Sequence, residues 1–381
     1  MRILHTSDWH LGRIFHGKHL TDDQAYILEQ FVTLVGDTKP DVILISGDIY
    51  DRSVPPTDAV NLLDDILSQI LLDYHVPVIS IAGNHDSPER LGFGTRLLAR
   101  QGLYLTGEVN KNLKPVVLTD SHGPVYFCPI PYADPPIVRE RLNTDTSTHQ
   151  EAMFTILNHL ITQIPPGNRT VALAHAFVAG GEECESERPL SIGGSSKIDS
   201  HCFRNFHFTA LGHLHRPQHA GETHIRYAGS LMKYSFSEAS HRKSVTLVEM
   251  DATGDIVTEE MTLTPKRDVR CLEGYLNDIL EGPGEGESKD DYLMVTLKDS
   301  GAIFDAVGKL RTVYPNVLHI ERPHLTDSGN LHGPGGDHRR RSESDLFSDF
   351  FEQVTGQPLS AEQTGLFNEI MNVIYKKERE V

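Results

Sequence analysis

Within the first ninety residues, short β-branched apolar runs alternate with amphipathic helical stretches, and this alternation commits the chain to strand-helix-strand units around a parallel sheet. Residues 3 to 5 open the first strand. Ile27, Leu28, Phe31, Val32, Leu34 and Val35 then recur at helical spacing until Pro40, and Thr21 with Gln24 has the spacing of a capping box at the start of that helix. Residues 42 to 46 are too few for a stable helix and read as a buried second strand ending at Gly47-Asp48. After Pro55-Pro56, Thr57 is the expected N-cap of a helix whose apolar face carries Leu62, Leu63, Ile66, Leu67, Ile70 and Leu71. A third strand, residues 76 to 81, ends in Gly83-Asn84-His85-Asp86.

Further strands are expected at 125 to 129, 170 to 175, 208 to 211, 225 to 228 and 245 to 249. Past residue 260 the pattern changes to a strand at 292 to 297, a helix at 302 to 313 and a strand at 317 to 321, which together make a small α+β module. Residues 326 to 344, rich in Gly, Ser and His, read as a linker. Two short amphipathic helices, near 345 to 354 and 361 to 376, finish the chain. A length of 381 residues fits such a division, since single cores rarely grow that large.

Three consecutive strands thus end in donor residues: Asp8 and His10, then Asp48, then Asn84, His85 and Asp86. Ligands of open α/β sheets bind beyond the carboxyl ends of the strands, so these residues should converge. Asp8 and His10, two apart on an extended chain, should point the same way. Asp48 lies between the other two clusters and is the best bridging carboxylate, and the glycines beside the donors should keep side chains out of a cation's way. Later strands add His175 and the pair His213 and His215. Two cations about 3.5–4 Å apart, sharing a carboxylate, orient a phosphodiester and generate hydroxide. Each motif alone is commonplace, because Gly, Asn and Asp are ordinary turn formers. The ordered set, each member following an apolar strand, is what singles out a metal site.

The net charge of −18 excludes a protein that grips nucleic acid through a broad basic face. Any such contact must be local, and the loops bearing Arg13, Lys18, His19 and Arg52 are the candidates. Cys128, Cys184, Cys202 and Cys271 are too dispersed for a disulfide framework or zinc ribbon, so a reducing cytoplasm is expected. Met1-Arg2 runs straight into an apolar strand, which leaves no room for a secretory leader, and no apolar stretch approaches the roughly 18 residues that span a bilayer. A Gly-x-x-x-x-Gly-Lys-Ser/Thr segment is missing, so ATP hydrolysis must come from elsewhere.

Asp-x-His, Gly-Asp, Gly-Asn-His-Asp, the lone His175 and Gly-His-x-His, in that order, resemble the motifs of the calcineurin-like metallophosphoesterases. The opening Met-Arg-Ile-Leu-His-Thr-Ser-Asp-Trp-His-Leu-Gly, Ser186-Glu187-Arg188, Tyr227-Ala228-Gly229-Ser230 and Pro265-Lys266-Arg267 resemble the bacterial DNA-nuclease branch of that family, and the likeness spans nearly the whole chain. It implies an α/β fold: a four-layer αββα sandwich over residues 1–262, a small α+β capping domain for DNA recognition over 263–325, a flexible linker over 326–344 and C-terminal helices over 345–381. Those helices would dock a coiled-coil ATPase partner, in a heterotetramer built on a homodimer of this chain.

The resemblance further implies two divalent cations, usually manganese, one held by Asp8, His10, Asp48 and His215 and the other by Asp48, Asn84, His175 and His213. His85 would face the scissile phosphate, with Asp86 orienting it. The implied activity is manganese-dependent 3′-to-5′ exonuclease action on duplex DNA ends and endonuclease action on single strands and hairpins. Relatives from archaea and eukaryotes carry a histidine where this chain has Asp51, so a two-histidine mechanism does not transfer and the role of Asp51 is open. The competing functions are hydrolysis of a small phosphodiester or phosphomonoester, and a binding component that only senses DNA ends.

Overall fold

The computed structural model describes residues 1–190, 196–300, 303–323, 342–355 and 357–379. By packing, the chain divides into Met1–Val269 and Arg270–Val381. In the first unit it lays down β1 (Arg2–Thr6), β2 (Val42–Ile45), β3 (Val78–Ile81) and β4 (Leu103–Thr106) in parallel. A second sheet follows: β5 (Val116–Asp120), β6 (Gly123–Ile130), β7 (Arg169–His175), β8 (Phe208–Gly212), β9 (Gln218–Ala220) and β10 (Glu222–Tyr227). The chain then returns with β11 (Ser244–Met250) and β12 (Ile256–Thr262), and β11 runs antiparallel beside β1. Among the described residues this gives two six-stranded sheets, ordered β12-β11-β1-β2-β3-β4 and β9-β10-β8-β7-β6-β5.

The two sheets pack face to face. Ile3, Val42, Leu44, Ile79 and Ile81 of the first share one buried cluster with Val125, Phe127, Val171, Leu173, Phe208 and Ala210 of the second. Alternation sends Ile43, Ile45 and Val78 to the opposite face, where they are equally buried. Burial on both faces is why these strands read as unbroken apolar runs. Outside the second sheet, Cys128, Ile130, Ala172 and Ala174 pack with Met153, Ile156, Leu157 and Leu160 of the helix His149–Ile161. The helix Thr21–Thr38 buries Ile27, Leu28, Phe31, Val32 and Val35. The result is an α/β sandwich with helices outside its sheets.

Helix starts differ from expectation. Leu20 and Pro56 are the N-caps, Thr21 and Thr57 are the first helical residues, and among the described residues no side chain caps either helix. Gln24 turns away from the helix start: its amide donates to the carbonyls of Trp9 (3.1 Å) and His10 (2.8 Å), while its Oε1 accepts from Gly12 N (3.0 Å). A residue expected to cap a helix instead clamps the loop that follows β1. Strands β5 and β12 leave no mark in the sequence pattern, because their side chains alternate between half-buried and exposed and make no continuous apolar run.

In the second unit, Val269–Gly274, Tyr292–Leu297 and Val317–Glu321 form a three-stranded sheet, the last two parallel. Its core joins Leu293, Val295 and Leu297 to Leu310, Tyr314 and Val317. The helix there is Ala306–Arg311, shorter than the expected 302 to 313, and starts where the Asp305 carboxylate accepts from Gly308 N (3.0 Å). Two helices, Glu343–Thr355 and Ala361–Arg379, follow, with the rings of Phe347 and Phe367 stacked at 4.1 Å. Most of the expected linker, through residue 341, lies outside the described residues. Among the described residues no helix is long and apolar enough to cross a membrane.

Candidate metal centre

Strands β1, β2 and β3 are neighbours, so the loops that leave their carboxyl ends are neighbours too. Backbone bonds extend the pairing into these loops: Asp8 N to Gly47 O (3.1 Å), His10 N to Asp48 O (3.0 Å) and Leu11 N to Ile49 O (2.9 Å). From the facing sheet, β7 ends on His175, and His213 follows β8 directly. The expected extended-chain alternation is not what aims the donors. Asp8 (φ 53°), His10 (46°), Asp48 (49°) and His213 (107°) all have positive φ, so each donor is presented by a kink after its strand.

Such conformations cost on the order of 1–3 kcal/mol each and persist only where the surroundings enforce them. Here the enforcement is reciprocal, one motif's carboxylate holding the next motif's backbone. Asp8 accepts from His213 N (3.0 Å), Asp48 Oδ1 from His85 N (2.9 Å), and Glu187 Oε1 from His215 N (2.7 Å). The Asp86 carboxylate accepts from Ile49 N (3.1 Å), Tyr50 N (2.9 Å) and Gly83 N (2.9 Å).

The side chains that result form a buried knot of donors. Asp8, His10 and His215 offer atoms within 4.8 Å of one another, as do Asp8, Asp48 and His175, and His10, Asp51 and His85. Asp48 Oδ2 lies 3.7 Å from His10 Nε2, 3.6 Å from His175 Nε2 and 3.9 Å from His85 Nε2, and so stands between the two sides of the knot. Asn84 Oδ1 is 2.9 Å from His175 Nε2, and the His213 ring is 5.4 Å from that of His175.

Two contacts bear on what this knot can hold. His175 Nδ1 sits 2.8 Å from the carbonyl of Ser46, which can only accept, so Nδ1 carries the proton. Burial holds this ring's pKa down to about 4, so it is neutral, and Nε2 brings a lone pair to the Asn84 oxygen, another acceptor. His10 Nε2 and His215 Nε2, two nitrogens able to bind a cation, meet at 3.0 Å, and His10 Nδ1 is buried with no hydrogen-bond partner among the described residues. A lone pair facing an acceptor in a dry site, beside two imidazole nitrogens in contact, fits cations between them.

The carboxylates agree. Burial and then the neighbouring Asp48 drive Asp8 well above the usual carboxylate range, and burial pushes Asp48 to about 6. Burial holds His10 and His213 well below the usual imidazole value, with the neighbouring histidines adding to it. Each of these groups is therefore shifted toward its neutral form, chiefly by burial, and a cation among them would favour the ionised carboxylates.

His85 and Asp86 do not form the expected pair. His85 Nδ1 donates to the carbonyl of Asp51 (2.7 Å), which turns Nε2 toward Asp48, whereas Asp86 is committed to the three backbone amides above. A carboxylate flanking a histidine in sequence is too weak a signal to tell ring orientation from loop clamping. The Asp51 carboxylate is 3.6 Å from His10 Nδ1 and 3.0 Å from Arg13 Nη1. Arg13 also donates to the Ser186 carbonyl (3.2 Å) and lies over the Tyr234 ring, so it is held in the wall of the site.

Sequence reasoning misses Gln24, Glu238 and Lys243 as parts of the site, and notices Ser186 and Glu187 only within a resemblance. None carries a local pattern, since their partners lie up to 210 residues away. Glycines 47 and 83 were expected to keep room for a cation, yet what they allow is contact between loops. A Cβ on Gly83 would sit 2.1 Å from Asp48 Oδ1 and 2.3 Å from Asp48 N. Overpacking of this kind costs about 1–3 kcal/mol, so Gly83→Ala should lower Tm by roughly 2–12 °C and weaken metal binding with it. A thermal melt checks this, and an unshifted Tm with intact metal binding would count against the close approach.

Residues 1–217 match the family Calcineurin-like phosphoesterase, and residues 265–355 match the family Type 5 capsule protein repressor C-terminal domain. The D subunit of the nuclease SbcCD from Staphylococcus saprophyticus is 33% identical over 378 residues, covering 99% of this chain and 99% of its own. Its namesake from Staphylococcus epidermidis is 31% identical over 379 residues, covering 99% of this chain and 100% of its own. Among solved structures, a dimetal phosphatase from Danio rerio overlays with a TM-score of 0.41 at 13% identity, covering 69% of this chain and 98% of its own.

Proposed function

The chain belongs to the calcineurin-like phosphoesterases, among the D subunits of SbcCD nucleases, and from that membership we propose that it hydrolyses DNA phosphodiesters on a pair of divalent cations. The observation that carries the reading is the facing of the His175 Nε2 lone pair and the Asn84 oxygen, with Nε2 of His10 and of His215 3.0 Å apart, around Asp48. Asp8, His10, Asp48 and His215 would hold one cation, and Asp48, Asn84, His175 and His213 the other, with Asp48 shared. Bound there, the cations supply Lewis acidity and lower the pKa of the attacking water. Manganese suits a set of carboxylate, amide and imidazole donors.

The chain's own groups have separable tasks. Asp86 and Gln24 hold the loops that carry the donors. His85, fixed through Nδ1 by the Asp51 carbonyl, presents Nε2 where a departing 3′ oxygen would take a proton. The Asp51 carboxylate stands 3.6 Å from His10 Nδ1, with Arg13 offsetting its charge. The proposed actions are 3′-to-5′ exonuclease cleavage of duplex ends and endonuclease cleavage of single strands and hairpins. In a manganese buffer, linear duplex DNA should be degraded far faster than a chromogenic small diester at equal concentration. Preference for the small diester would move the protein to the small-substrate class.

We further propose an SbcC-type ATPase as the partner, docked on the terminal helices, where Phe350, Leu366 and Ile370 stand more than half exposed. A second copy of this chain is proposed against the exposed Phe93 and Leu97. Deleting residues 342 to 381 should abolish co-purification with the ATPase and leave small-diester hydrolysis within about twofold, a change of less than about half a kcal/mol. Retained co-purification would move the docking surface elsewhere.

A further inference from the structure

Behind His215 lies a buried polar chain that the proposed chemistry does not use. Lys243 Nζ donates to the carbonyl of His215 (2.7 Å), to Ser230 Oγ (2.9 Å) and to Glu238 Oε2 (2.5 Å), so each ammonium hydrogen has its acceptor. Glu238 is fully buried, and its Oε1 accepts from Tyr234 N (3.0 Å), Ser235 Oγ (3.1 Å) and Ser186 Oγ (2.6 Å). Ser186 Oγ is also 2.6 Å from His215 Nδ1.

A hydroxyl has one proton to give. The carboxylate of Glu238, ion-paired with Lys243 and ringed by donors, can only accept, so the Ser186 proton points to it. Ser186 Oγ therefore has only lone pairs for the imidazole, and the ring must bring the proton. We propose that Ser186 is a positioning residue for His215: turned by Glu238, it fixes the proton on Nδ1 and leaves Nε2 as a lone pair facing the site.

The same segment holds the backbone of His215, since Glu187, one residue on, accepts from His215 N (2.7 Å). Both the position of the donor and its tautomer are thus set by residues 186 and 187, with Glu238 and Lys243 behind them. The arrangement parallels His175, whose Nδ1 proton goes to the Ser46 carbonyl. The two rings reach one condition by different means, a backbone carbonyl in one case and a side-chain relay in the other.

The inference rests on reading His215 as a cation donor, and the test keeps the two apart. Full-length protein is titrated with manganese chloride by calorimetry, and the metal-free form, labelled with 15N-histidine, gives the tautomer of each ring. The His215 signal is identified by its loss in His215→Gln. Wild type should take up two manganese ions and show the His215 proton on Nδ1. Ser186→Ala should weaken one of the two ions by about 10- to 100-fold, the usual effect of removing a partner behind a ligand, and spare the other. Ser186→Thr, which keeps the hydroxyl, should restore it.

A wild-type proton on Nε2 overturns the proposal whether or not any variant folds. So does Ser186→Ala with both affinities unchanged. If His215→Gln still binds two ions at wild-type affinity, it is the reading of His215 as a donor that fails, while the wild-type spectrum still decides the tautomer.

Discussion

Replacing Asp48 with Asn should remove nearly all hydrolysis and leave the protein unable to hold two manganese ions at once. Asp48 Oδ2 is the atom within 4 Å of His10, His85 and His175 alike, so it is the group on which both sides of the donor knot depend. Asparagine keeps the shape and can still accept from His85 N, which separates loss of charge from loss of the loop. Charge stabilisation by a bound cation amounts to several kcal/mol, so a loss of about 4 kcal/mol, roughly a thousandfold in rate, is expected.

A second signature comes from the proton. With burial raising Asp48 to about 6 in the metal-free protein, a proton competes with the cation below that pH. His175 and His215, both lowered to about 4 chiefly by burial, are already neutral there and do not compete. Manganese affinity should therefore climb as pH rises through 6, keep climbing above it as Asp8, also raised by burial and by Asp48, gives up its proton, and lose the step near 6 in Asp48→Asn. Calorimetric titrations on either side of that pH would measure it. Two ions bound with unaltered affinity in the variant would end the bridging role.

His85→Leu should separate catalysis from metal binding. The ring is anchored by Nδ1 to the Asp51 carbonyl and offers Nε2 to the site. Loss of a positioned general acid costs about 10²- to 10⁴-fold, so kcat on a nicked or linear duplex should fall within that range. Manganese stoichiometry should stay at two. A small diester with a good leaving group, which needs no protonation, should suffer much less than DNA. If metal content fell in step with kcat, His85 would instead be part of the cation-holding structure.

The strand-ending motifs are legible because burial on both faces of a parallel sheet writes continuous apolar runs, and a donor straight after such a run stands out. Ile43 through Asp48 is the clearest case. The local conformation of those donors is not legible. Nothing in Asp-Trp-His announces positive φ at both Asp8 and His10, and these kinks, not strand alternation, aim the two side chains. Supporting residues are illegible for a different reason. Gln24 resembles a capping residue because its sequence neighbours invite that reading, while its true partners are brought in by tertiary folding. Asp86 and Glu238 are acids whose roles depend on backbone amides and a lysine supplied by distant segments or by a turn.

The pairing of β1 with β11 carries a consequence for biosynthesis. Arg2 to His5 find their antiparallel partner in Thr246 to Glu249, so the strand made first waits for one made more than two hundred residues later. Contacts so remote in sequence form slowly, and Lys243, which backs His215, belongs to the same late stretch. A nascent chain, or a fragment released before that stretch emerges from the ribosome, would carry every donor residue and yet have no finished sheet to aim them. The sheet whose strand ends carry Asp8, Asp48 and Asn84 is complete only once residues 244–262 have joined it.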